Sequence, residues 1–149
     1  MFEAGLLDLV LFLPLLGVAV LLVSPSASEE TSRRLTLVVM LVQLMITSWL
    51  YTQFDAGTPG LQFETRVPWI AAWGVNFQIG LDGYNVLLVM LTAFLGPLVV
   101  AGSFSAVTKD VKLFHAMLFL IQFAMMGTFV AQDLFLFYVF WETMLIPMF

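Results

Sequence analysis

Five long apolar blocks, broken only by short polar interruptions, leave this 149-residue chain few ways to fold. The blocks cover about residues 6–23, 33–53, 84–104, 112–131 and 134–149. A hydrocarbon core about 30 Å thick is crossed by roughly 20 helical residues. The first four blocks meet that length, and the fifth stops short of it. A soluble domain carries about 25% charged residues; this chain has 10%, with 62% hydrophobic. Too little polar surface exists to coat a globule in water. The expected fold is therefore an all-α integral membrane domain, 1–149. It has four complete transmembrane helices, a truncated fifth, and an extramembrane β-hairpin between helices 2 and 3.

Composition removes several chemistries. The cysteine count is zero, which excludes disulfides, thiolate zinc, cysteine-ligated clusters and a cysteine nucleophile. The single histidine, His115, leaves no pair for haem or zinc. No metal or cofactor site is expected within the chain, and Gly80 and Gly83 make no dinucleotide fingerprint. A net charge of −5 with five basic residues argues against nucleic acid. The first block is not a signal peptide, because Glu3 and Asp8 stand where basic residues are required. The fifth block ends in Ile146-Pro147-Met148-Phe149 without an interfacial anchor. An amino-terminal fragment of a longer protein would end in this way.

Charge sets the expected orientation. Loops at 24–34 and 104–112 share one side of the membrane and hold Arg33, Arg34, Lys109 and Lys112. The other side holds Arg66 with Glu3, Asp8, Asp55, Glu64, Asp82 and Asp133. The positive-inside tendency then puts the amino terminus and the 52–83 segment outside, on the periplasmic face of a bacterial inner membrane. Within that segment, Leu61, Phe63, Thr65 and Val67 alternate with polar residues, as do Val75, Phe77, Ile79 and Leu81. A period of two on both sides of a Pro/Gly/Trp-rich bend predicts a hairpin over about 60–81. Its apolar face is expected on the membrane surface or on a neighbouring subunit. Asp82 is placed to cap the third helix.

One residue stands out for chemistry. Glu142 lies eight residues into the fifth block, about 12 Å along a helix axis. A charge at such depth costs at least about 2.5–3.5 kcal/mol on insertion scales, and an acid found there marks a functional site by default. Tyr138 is one turn earlier on the same face and can offer its hydroxyl. Pro147 lacks an N–H, so the carbonyl of Thr143 loses its helical donor beside Glu142. A carboxylate and a freed carbonyl together suggest a hydrated pocket. On the fourth helix, His115 and Gln122 share a face; His115 suits an interfacial anchor or a proton inlet, and Gln122 suits interhelical hydrogen bonding. Gly96-Pro97 frees the carbonyl of Ala93 and should kink the third helix.

The stretches DLFLFYVFWETMLIPMF (133–149) and VNFQIGLDGYNVLLVMLTAFLGPLV (75–99) closely resemble the antiporter-like membrane subunits of proton-translocating NADH:quinone oxidoreductase, respiratory complex I. The form around Glu142 is most similar to the chain M, or subunit-4, type. The resemblance implies bundles of roughly fourteen helices built on inverted repeats. It implies that the glutamate matching Glu142 pairs with a lysine on a later helix in a proton pathway, and that the hairpin links neighbouring antiporter-like subunits. It places NAD, flavin, iron–sulfur clusters and quinone mostly on other subunits. The partner lysines fall beyond residue 149, so these residues alone are not expected to pump. A related cation/proton antiporter or membrane-bound hydrogenase would share the helices and the carboxylate. A purely structural module, with Glu142 as an interhelical hydrogen bond, is the third reading.

Overall fold

Why each helix begins where it does is written in its first turn. A computed structural model describes residues 4–23 and 28–148; Glu3, the loop residues 24–27 and Phe149 lie outside them. Helix α1 runs Ala4–Val23 and α2 runs Glu29–Gln53. The second helix starts earlier than the expected 33, because Ser28 caps it: its Oγ accepts from the Thr31 amide at 3.1 Å. Glu29 and Glu30 then complement the positive end of the helix dipole. They pair one turn on with Arg33 and Arg34. After the hairpin, α3 spans Asn85–Ala106, α4 Val111–Val130 and α5 Leu134–Leu145. Asp82 anchors α3, accepting from the Tyr84 and Asn85 amides at 2.8 Å each.

The fifth helix is shorter than the expected 134–149. Regular α-helix stops at Leu145, and a 3₁₀ turn, Ile146–Met148, follows around Pro147. The proline ring excludes the i→i−4 bond, and the backbone tightens in its place.

Helix α4 is the centre of the bundle and packs on α1, α2, α3 and α5. Two glycines permit the closest approaches. The Phe119 ring fills the space a side chain at Gly17 would need, and the Phe140 ring does the same at Gly127. Small residues at crossings let apolar helices interlock where no water drives them together.

Strands β1 (Gln62–Ile70) and β2 (Val75–Leu81) pair antiparallel, with Thr65 opposite Ile79 and Val67 opposite Phe77. A short 3₁₀ turn, Ala71–Trp73, joins them, and Gly74 closes it at φ 68°, where glycine avoids the Cβ penalty. Part of the apolar face of this hairpin is covered by the chain itself. Ile79 and Leu81 are fully buried in the chain's own core, and Phe77 stacks on Phe12 of α1 at 6.4 Å. The helices win because they offer dry, shape-matched surface within the same chain. Val67, on the same face as its cross-strand partner Phe77, stays exposed, as do Trp69 and Trp73.

The two ends of the bundle differ in charge. Thr65 donates to Asp8 at 2.9 Å, which ties the start of α1 to the hairpin end. Arg33 donates to the Val107 carbonyl at 2.8 Å, which ties the start of α2 to the end of α3.

Candidate functional site

Four helices meet at a single polar node. Pro14 leaves the carbonyl of Val10 without a helical donor, and Gln43 supplies one from α2 through Nε2 at 2.8 Å. Gln122 on α4 donates to Gln43 Oε1 and to the Thr92 carbonyl of α3, both at 3.1 Å. Gly96 provides the room, since a Cβ there would lie 3.1 Å from Gln122 Nε2. Gln43 is fully buried and Gln122 nearly so. Gln122 is thus the interhelical bond that its sequence position suggests. Gln43 was not singled out from sequence, although a lone glutamine in an apolar helix and a proline one helix earlier were its signal.

His115 stands apart from this node on the same face of α4. It is fully buried, with the Phe114 ring edge-on at 5.5 Å. Among the described residues neither ring nitrogen has a hydrogen-bond partner.

Glu142 lies elsewhere. Leu136 and Phe140 are the buried positions of α5, and they point into α4. Two residues past Phe140 a helix has turned by about 200°, so Glu142 is exposed, as is Tyr138 one turn before it. The Tyr138 hydroxyl interacts with the Glu142 carboxylate along that open face. The carboxylate therefore faces away from the bundle and not into a pocket between these helices. Thr143 turns its own hydroxyl back to the Val139 carbonyl at 2.7 Å. Two ion pairs, Arg33–Glu29 and Arg34–Glu30, lie within α2. Of the four residues singled out for chemistry, the fold joins Tyr138 to Glu142 and keeps His115 and Gln122 on another surface.

At the hairpin end of α5, Asp133 accepts from the Phe135 and Leu136 amides at 2.9 and 3.3 Å. It also accepts from the Asn76 amide of β2 at 3.1 Å. The Asn76 bond, with help from Leu136 and Phe135, holds this carboxyl below the usual Asp range. A lowered folded-state value means these bonds act at neutral pH and are lost only as pH falls through it.

No family model matches the chain. Individual proteins do. It is 38% identical over 149 residues to NADH-quinone oxidoreductase subunit M of Rhodobacter capsulatus, covering 97% of this chain and 28% of that protein. It is 33% identical over 148 residues to NADH-ubiquinone oxidoreductase chain 4 of Marchantia polymorpha, covering 99% and 30%. It is 35% identical over 109 residues to F(420)H(2) dehydrogenase subunit M of Methanosarcina mazei, covering 73% and 22%. The chain thus spans about three-tenths of the length of the first relatives.

Proposed function

The chain is a homologue, along essentially its whole length, of the membrane subunits named NADH-quinone oxidoreductase subunit M and chain 4, and from that premise we propose that it serves proton translocation in such a complex. Glu142 is the carrier in this reading. One observation supports it above the rest: a carboxylate at membrane depth points out of its own bundle. An unpaired charge there is costly, so the open face of α5 calls for a cation or a hydrated path supplied by another element. A cation moving toward the carboxylate favours its ionised form and drives the proton off; withdrawal of the cation lets it return. Tyr138 steadies the carboxylate along the same face.

In this reading NAD, flavin, iron–sulfur clusters and quinone sit mostly on other subunits, and these 149 residues hold no cysteine to ligate a cluster. The partners are the complex's other membrane subunits, neighbouring antiporter-like ones among them. The amino terminus faces the periplasmic side of a bacterial inner membrane. The similarity to F(420)H(2) dehydrogenase subunit M favours a second reading, in which the same membrane machinery serves a different electron donor.

The test is a ranking in the assembled complex. Glu142→Gln keeps the volume and removes the titratable proton, whereas Glu142→Asp keeps the acid on a shorter arm. A proton carrier loses pumping with Gln and retains part of it with Asp. A structural hydrogen bond gives the reverse order, and full pumping with Gln would overturn the proposal.

A further inference from the structure

Helix α5 is gripped at two points on different parts of the molecule. Inside the bundle, the Phe140 ring seats over Gly127 of α4. The outer grip is made by the hairpin. The Gln132 amide donates to the Gln78 carbonyl at 2.8 Å, and Gln132 Nε2 donates to the Gly80 carbonyl at 3.2 Å. With the isolated Ile79–Ala131 bridge, these bonds tie the link between α4 and α5 to β2. Trp69 and Trp73 set their rings edge-on to Phe135 in the first turn of α5, at 5.9 and 6.5 Å.

Asp133 closes this junction, and its chemistry exceeds what a cap needs. One acceptor oxygen suffices to end a helix, and Ser, Thr or Asn supply it as well as Asp. Here Oδ1 takes the Phe135 and Leu136 amides, while Oδ2 reaches across to Asn76 of β2. Only a carboxylate offers two acceptor oxygens at once. Glu142 follows nine residues later, about 13.5 Å along the axis, with continuous helix between them to transmit a rotation.

We propose that Asp133 is a positioning residue for Glu142: its two oxygens clamp the first turn of α5 to β2, so that the hairpin sets the height and rotation of the proton-carrying carboxylate. The proposal rests on the reading of Glu142 as the carrier. It gives the hairpin a role inside its own chain.

The experiment compares Asp133→Ser, Asp133→Glu and Glu142→Gln in the assembled complex, reading protons moved per electron, quinone reduction and amide hydrogen exchange. Serine keeps the cap and loses the second acceptor. In Asp133→Ser the Asn76 amide should exchange about tenfold faster or more, as loss of a charge-assisted hydrogen bond allows. The Phe135 and Leu136 amides should stay protected. Protons moved per electron should fall several-fold while the complex still assembles, and Asp133→Glu, with both acceptors, should recover most of the loss. Unchanged exchange at Asn76 would overturn the clamp. A freed Asn76 amide with wild-type coupling would overturn the positioning role. If coupling falls only together with the protection of Phe135 and Leu136, Asp133 is a cap and nothing more. Full pumping by Glu142→Gln would instead overturn the carrier reading, and this proposal with it.

Discussion

Gln122 and Glu142 sit at matching depths on adjacent helices and meet opposite fates. Each is eight residues from the hairpin end of its helix, Val130 for α4 and Leu134 for α5, or about 12 Å along the axis. Gln122 turns inward and finds Gln43 and the Thr92 carbonyl. Glu142 turns outward, and Tyr138 beside it is equally exposed. A polar group in the hydrocarbon must be satisfied somewhere. Where the chain satisfies it internally, the group serves the fold; where it does not, the group is open to a partner from another element. The glutamine node is complete within these residues; the glutamate has Tyr138 beside it and an otherwise open face.

The sharpest way to break this contrast is to neutralise each group. Glu142→Gln should reduce redox-coupled pumping on the order of a hundredfold, the scale of a lost proton-transfer group. It should leave the thermal stability of the assembled complex unchanged, because no packing is lost from the bundle. A stability loss with pumping retained would place Glu142 with Gln122. Next in size is Gly127→Ala, whose Cβ enters the space of the Phe140 ring. Overpacking of this kind costs about 1–3 kcal/mol, and thermal melting of the complex checks it. Adding Phe140→Leu should recover part of the loss; failure to do so would mean that this ring does not aim α5.

The glutamine node should respond more weakly. Gln43→Leu strands the Val10 carbonyl, and interhelical hydrogen bonds in membranes average about 0.6 kcal/mol, reaching about 1.7. Pro14→Ala returns a helical donor to that carbonyl. The cost of Gln43→Leu should therefore shrink in the Pro14→Ala background, which a double-mutant cycle on thermal stability would measure. Smallest of all is the effect of labelling cysteines. At Thr58 and Lys109 they should react with an impermeant reagent from opposite sides and leave pumping intact. Reaction from one side would break the orientation on which the common depth rests.

Much of the architecture was legible because the bilayer imposes a length and a hydropathy that each segment satisfies alone. The four spans, the period-two hairpin and the Asp82 anchor follow from neighbouring residues. Glu142 was legible for the same reason, since depth can be counted along one helix. Partners were not. The Val10 carbonyl is freed by a proline in α1, yet the group that takes it comes from α2. The hairpin's apolar residues showed that a face must be covered, and only packing decided that Phe12 and the chain's own core cover Phe77, Ile79 and Leu81. His115 is near a helix end in sequence and fully buried in the fold.

The sequence by itself determined that the helices are apolar enough for a membrane, how many there are, and how far along the fifth Glu142 stands. These are properties of single segments against a surrounding medium, and local pattern carries them. Only the tertiary structure decided which way that acid points. Its direction comes from the Phe140 ring finding a gap at Gly127, a contact between helices whose fit depends on side-chain shape and on rotation about both axes. Periodicity says that one face of α5 is buried; it does not say which neighbour buries it, and the carboxylate turns outward because of that neighbour.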